Sequence, residues 1–244
     1  VTRLVDAELL KLGTTRLLLW LGLMTLGLIT LIVSVNGAER SVEDLTQPNN
    51  QRDLITVAAI AALVTLILGI VASTAEYAHG TIGHTFLVTP VRERVVGAKL
   101  VAAVLTGAAL AAAACAVTVG LVALWLAVRS IPSHLESRRT LELIGGVVLA
   151  AALTAAIGVG FGALVRRQTA AIVVSLVWLL IGEPLLALTH WQRYAPGHVI
   201  VAVAEAGQQG PDLLRFWPGL LLAVGYATLF VVAGTLMVTR SDVT

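Results

Sequence analysis

Charge is what this sequence has least of. Only 12% of its 244 residues are Asp, Glu, Lys or Arg, about half the roughly 25% of an average soluble domain. Those few charges cluster between long uncharged runs. That pattern excludes an ordinary water-facing surface and marks a polytopic membrane protein. The formal net charge of +2 is too small to point to nucleic acid. Cysteine is nearly absent. Cys115 stands alone in an apolar run, so there is no disulfide framework and no cysteine metal site, and the thiol reads as inert and buried. The usual catalytic signatures are missing too. Without a G-x-x-x-x-G-K-[ST] loop the chain does not bind and hydrolyse ATP by itself, and it has no H-E-x-x-H helix or G-x-S-x-G elbow. It is not expected to be an enzyme. None of the five histidines lies deep within an apolar run, so facing haem ligands and a zinc cluster are not available there. His79 and His84, five apart with no third ligand, read as surface residues. No signal-peptide pattern opens the chain, because Arg3, Asp6, Glu8, Lys11 and Arg16 are spread through its start. The first span is therefore expected to remain in the mature protein.

What the sequence has is apolar length: 58% hydrophobic residues and a mean hydropathy of +0.93. About 20 apolar residues cross a bilayer core of roughly 30 Å. Six runs qualify: 17–38, 54–75, 100–128, 143–165, 169–189 and 216–239. They make residues 1–244 a single all-α transmembrane domain. The third run is longer than the core needs and should tilt, bend or protrude. Ahead of the spans, Val1, Val5, Leu9 and Leu12 fall at helical spacing, with Arg3, Asp6 and Lys11 largely elsewhere. Residues 1–15 thus read as an amphipathic interfacial helix. Segments 39–53 and 129–142 read as polar loops, and 166–168 as a very short turn. Segment 190–215 differs, because its apolar stretch 198–206 is far too short to cross and reads as re-entrant or interfacial.

Six spans put both termini on one side. With the N-terminus inside, the inner basic residues are Arg3, Lys11, Arg16, Arg92, Arg94, Lys99, Arg166, Arg167 and Arg240. The outer ones are Arg40, Arg52, Arg129, Arg138, Arg139, Arg193 and Arg215. The excess lies inside, as the positive-inside rule asks. Small residues on span three (Ala102, Ala103, Gly107, Ala108, Ala111) and Gly158, Gly160 and Gly162 on span four read as close-packing surfaces. The run GVGFG has no preceding strand, so it is a packing face and not a nucleotide loop. The tryptophans lie mostly near span ends, as in an aromatic belt. Within the spans one acid stands out: Glu183, followed by Pro184 near the end of span five. It lines a translocation path or outer gate, braces the neighbouring short segment, or sits at headgroup level. One such acid argues against an ion-coupled transporter, which usually needs intramembrane carboxylates.

The segment 76–99, EYAHGTIGHTFLVTPVRERVVGAK, is the main polar break that also reads as ordered. Gly80 permits a sharp redirection and Thr81 suits a helix N-cap. Ile82 and Phe86 share a face one turn apart. Pro90 ends the short helix through its effect on Thr89, and Arg92, Glu93, Arg94 and Lys99 lead into span three. An acid closing span two, then Gly-Thr, a short apolar helix, Thr-Pro, basic residues and a Lys opening span three resemble the permease subunits of ABC type-2 exporters. The similarity extends over the whole chain, with an amphipathic lead-in, six spans, a short turn after span four and an interrupted hairpin before span six. Ala78 and His79 depart from it, standing where many relatives have charged residues.

The resemblance implies a transmembrane permease of an ATP-driven ABC exporter in the plasma or inner membrane, multi-pass, with both termini cytoplasmic. It implies pairing with a separate ATP-binding subunit, which holds the ATP and magnesium, and with a second permease copy or a similar one. It implies no cofactor or metal in this chain. Segment 76–99 would hold the cytoplasmic coupling helix, with Glu76, Tyr77, Gly80, Thr81, Ile82, Phe86, Pro90, Arg92 and Arg94 as the ATPase-coupling residues. Residues 1–15 would be the connecting helix, and 190–215 would cap the path outside. The path would run between two permeases along spans one, two and five. Its apolar character suits a hydrophobic or amphipathic cargo such as a drug, an antibiotic or a lipid-like molecule. The alternatives are an ion-coupled secondary transporter and a non-transporting membrane scaffold.

Overall fold

The computed structural model describes residues 2–80, 91–186, 188–205 and 213–240, which are mostly helical with no strand among them. Helix α1 (Thr2–Thr14) precedes α2 (Arg16–Glu39). Two short helices follow, α3 (Val42–Thr46) and α4 (Pro48–Thr56), and α4 runs through the 3-10 turn Val57–Ala59 into α5 (Ile60–Ala78). Then come α6 (Arg92–Val128) and α7 (Arg138–Val165). Helix α8 (Gln168–Val177) continues through a π-helical turn, Trp178–Gly182, and a last turn, Glu183–Leu186. Helices α9 (Pro196–Ala204) and α10 (Phe216–Arg240) complete the chain. Six of these stretches are long and apolar enough to cross a membrane: 16–39, 48–78, 92–128, 138–165, 168–186 and 216–240.

Several polar segments read as loops are helical instead. Most of 39–53 forms α3 and α4. Ser41 caps α3 reciprocally with Asp44, and Pro48 sits in the first turn of α4, where its missing N–H costs nothing. Helix α7 starts at Arg138, not 143, because Ser137 caps it by accepting from the Thr140 N–H. Most described residues of 76–99 also belong to spans, since Glu76 to Ala78 end α5 and Arg92 to Lys99 begin α6. Polar residues at a span end continue the helix wherever capping groups or neighbouring carbonyls satisfy the backbone.

Helix α7 is the centre of the bundle. In its most apolar stretch 67% is buried, against 56% for span two and 11% for span five. Backbone closeness sets this arrangement. A Cβ on Gly69 of α5 would sit 2.2 Å from the Ala155 carbonyl of α7, and one on Gly158 would sit 2.3 Å from Leu66 O. On the other side of α7, a Cβ on Gly160 would lie 2.4 Å from the Phe230 backbone of α10. Only glycine allows either approach. The Thr65 and Thr154 hydroxyls bond across the α5–α7 contact at 2.8 Å, which keeps both polar groups satisfied in a buried place.

The end away from the termini is knitted by side chains reaching carbonyls. Arg129 donates to Arg40 O at 2.6 Å and Ala38 O at 3.0 Å while lying over Trp125. Fully buried Gln51 donates to Leu45 O and Pro132 O and accepts from the His134 N–H.

Candidate functional site

Helix α1 lies on the bundle through Leu12, buried among Leu68, Ala72, Ala102 and Ala103, with Leu9 beside it. Glu8 occupies the same face, three residues after Val5 and four before Leu12, so the geometry that buries those leucines also buries an acid. The last turn of α5 supplies Glu76, and α6 supplies Lys99 two turns after its start.

These residues form a closed charge clasp. Lys11 Nζ lies 2.7 Å from Glu8 Oε1 and 2.8 Å from Glu76 Oε1. Lys99 Nζ lies 3.0 Å from Glu8 Oε2 and 3.3 Å from Glu76 Oε1, and it donates to Ala72 O at 3.3 Å. Two acids and two lysines cancel. Lys99 and Glu8 are about 5% exposed, while Lys11 is half exposed. An unpaired charge at such depth costs several kcal/mol, so the three buried members hold one another in place. Burial works to lower the Lys11 pKa, but its bonds to Glu76 and Glu8 prevail and the ammonium is held above its ordinary value. Glu76 Oε2 has no hydrogen-bond partner among the described residues.

The other coupling candidates divide. Gly80 ends α5 in the left-handed region (φ 68°), the conformation glycine adopts freely after a helix, and its N–H reaches Tyr77 O at 3.3 Å. Half-buried Tyr77 shares a cavity of about 10 Å³ with Lys99, Val95 and Val238, room for about one water. Arg92 donates to Val238 O at 2.9 Å, tying the start of α6 to the end of α10. Arg94 is exposed. Thr81, Ile82, Phe86 and Pro90 lie outside the described residues, so the structure brings together Glu76, Tyr77 and Arg92 from this set. The sequence reading did not join Glu8, Lys11 and Lys99 to Glu76. Two signals were available: an acid on the apolar face of an amphipathic helix, and a lysine seven residues into an otherwise apolar one.

A second polar cluster lies at the opposite end, around Glu183. Pro184 lacks the N–H that would bond the carbonyl four residues earlier, and its ring crowds that carbonyl. The helix widens just there into the π turn Trp178–Gly182. The widened turn directs the Glu183 carboxylate, 5% exposed, at the start of α9. Its Oε1 accepts from the Gly197 N–H at 2.5 Å and from Trp178 Nε1 at 3.2 Å. Its Oε2 lies 3.1 Å from His198 Nδ1. The far ring nitrogen of His198 is 2.6 Å from Gln192 Nε2. An acid at a helix N-terminus meets free N–H groups and the positive end of the dipole. A Cβ on Gly197 would fall 2.4 Å from Glu183 Oε2, so any larger residue there would push the carboxylate off the start of α9. Glu183 thus fastens α9 to the end of span five, and Pro184 itself is exposed.

No protein-family model matches the chain, and no curated protein matches it.

Proposed function

We propose that this chain is the permease subunit of an ATP-driven ABC exporter, moving a hydrophobic or amphipathic substrate out of the cell by alternating access. The observation that carries the reading is the charge clasp. It binds an interfacial helix to the two spans that flank segment 81–90, so a push on that segment reaches α1, α5 and α6 together. In this reading segment 76–99 holds the coupling helix, α1 is the connecting helix, and both termini are cytoplasmic. A separate ATP-binding subunit supplies the work, and a second permease completes the path. Rigid-body movement of packed helices is how such work becomes a change of access. The buried acids favour this over ion coupling: Glu8 and Glu76 are neutralised by fixed lysines, and Glu183 is held by α9.

The test has two arms. A tagged chain solubilised from its native membrane should bring down an ATP-binding protein; recovery of the chain alone counts against the exporter. Phe86→Asp and Arg94→Glu should leave insertion intact and ATP hydrolysis uncoupled from export, and unchanged export in both removes the coupling role.

A further inference from the structure

The start of helix α9 is fastened through a group that changes charge with pH. Glu183 Oε2 meets His198 Nδ1 at 3.1 Å, and the other ring nitrogen meets the Gln192 amide at 2.6 Å. That amide suits either protonation state of the ring. Presented by its nitrogen, it donates to a neutral imidazole; turned over, its oxygen accepts from the imidazolium. In both states Nδ1–H donates to Glu183, so the ring can take up a proton without breaking the network. What the proton adds is a charge-assisted bond in place of one from a neutral donor. The His198 side chain is 26% exposed, which gives the proton a way in. Histidine is the side chain that ordinarily changes charge between pH 5 and 8.

We propose that α9 is a proton-governed plug, seated on the bundle while His198 is charged and loosened as His198 becomes neutral. What it closes is a cavity of about 260 Å³ among spans two, four and five, one wall of which is Pro196, Gly197, Ile200, Val201 and Ala204 of α9. Unseating α9 opens that space at the end of the bundle away from the termini. The joints are present on the chain before it. The π turn Trp178–Gly182 interrupts span five just ahead of Glu183, and Ala195 enters α9 in an extended conformation (φ −63°, ψ 142°). The far end of α9 responds with the same sign. Burial, and then the charge of Asp53 on α4, hold the Glu205 pKa above the ordinary glutamate value, and an acid at a helix C-terminus also opposes the dipole. Docking therefore favours the proton at both ends of α9. By linkage the proton favours docking, and the seating is lost as pH rises. The other ionisable groups around α9 are engaged elsewhere or exposed. Arg193 lies over the Tyr194 ring at 5.0 Å, and Tyr226 of α10 donates to Tyr194 O. Arg138 pairs with Glu142 at the start of α7, and Arg52 donates to Asn49. His190, Arg139 and Arg215 are exposed. From Leu143 to Val165 α7 carries no ionisable residue. Nothing in this latch depends on an ATP-driven partner, so the exporter reading can fail without it.

The experiment places the full chain in phosphatidylcholine nanodiscs, whose lipid charge does not change over the range used. Amide hydrogen exchange is followed by mass spectrometry from about pH 5.5 to 8 and corrected for the intrinsic pH dependence of exchange. Protection of the 198–204 amides should fall about threefold across that range, the order of what one ion pair contributes. The 147–157 amides of α7 should keep theirs. Glu205→Gln should leave a fall that belongs to His198. Adding His198→Gln, whose amide can still donate to Glu183, should flatten it. Constant protection of 198–204 in the unaltered chain, which needs no variant to fold, overturns the proposal. So does a fall that survives in the double variant, or one that Glu205→Gln abolishes by itself. An equal loss in 147–157 means general loosening of the bundle and overturns it as well.

Discussion

Lys99 is buried with two carboxylates around it, so removing its charge leaves Glu8 without its buried cation. Lys99→Met is expected to cost about 3 kcal/mol in equilibrium unfolding in mixed detergent, the usual penalty for breaking one partner of a buried pair. Adding Glu8→Gln should recover most of it, because Lys11 and Glu76 still pair at 2.8 Å. No recovery would mean that Lys99 acts by packing and not by charge. Glu205, just past α9, carries the opposite sign of lesson. Burial, and then the charge of Asp53, hold its pKa above the ordinary glutamate value. The ionised form is therefore disfavoured by folding. Its penalty is absent below about pH 4.5, where folded and unfolded forms both hold the proton, and grows as pH rises through the folded value. Glu205→Gln should raise the melting temperature at pH 7.5 and lose that advantage towards pH 4.5. A gain of the same size at both pH values would refute the electrostatic account.

At the scale of helices, glycine separates contact from surface. Gly69→Ala drives a methyl into the Ala155 carbonyl and should cost at least about 1–3 kcal/mol, as overpacking does. Gly120 in α6 has nothing within 4 Å of its absent Cβ, and Gly120→Ala should gain about 0.5–1 kcal/mol. Paired thermal melts decide it, and similar shifts in both variants would remove the α5–α7 crossing as the reason for Gly69. The six spans are legible in the sequence because uncharged length alone determines them. The glycines of span four are legible as a packing face for the same reason: lipid offers helices no hydrophobic drive, so small residues take on the association. The ends of the elements are not legible. Whether 39–53 is loop or helix depends on distant partners such as Pro132 O for Gln51. The clasp is unreadable in the same way, since it joins positions 8, 11, 76 and 99 from three separate elements. Glu183 is half readable: it stands out as an acid in a span, but the helix it holds lies fourteen residues on.

On the whole-molecule scale, the perimeter is unevenly finished. Spans two and four are enclosed, whereas Trp20, Leu23 and Met24 of α2 and Leu180 of span five are more than half exposed. In the exporter reading those faces meet lipid on one side and a second permease on the other. Light scattering of the detergent-purified chain should give a protein mass of twice 25.5 kDa; a mass of one copy would count against a path shared between two permeases.

Helix α6 runs unbroken from Arg92 to Val128, so Lys99 and Arg129 ride on one rod with about 45 Å between them at 1.5 Å per residue. The clasp is then a fulcrum. A tilt of about 5° at Lys99 would carry the opposite end by about 4 Å on that length, more than the hydrogen bonds from Arg129 to Arg40 and Ala38 can stretch. Either those bonds break or α2 swings with α6 as a single arm. The short amphipathic helix at the start of the chain therefore sets the pivot for the longest span and for the α2 span tied to its far end.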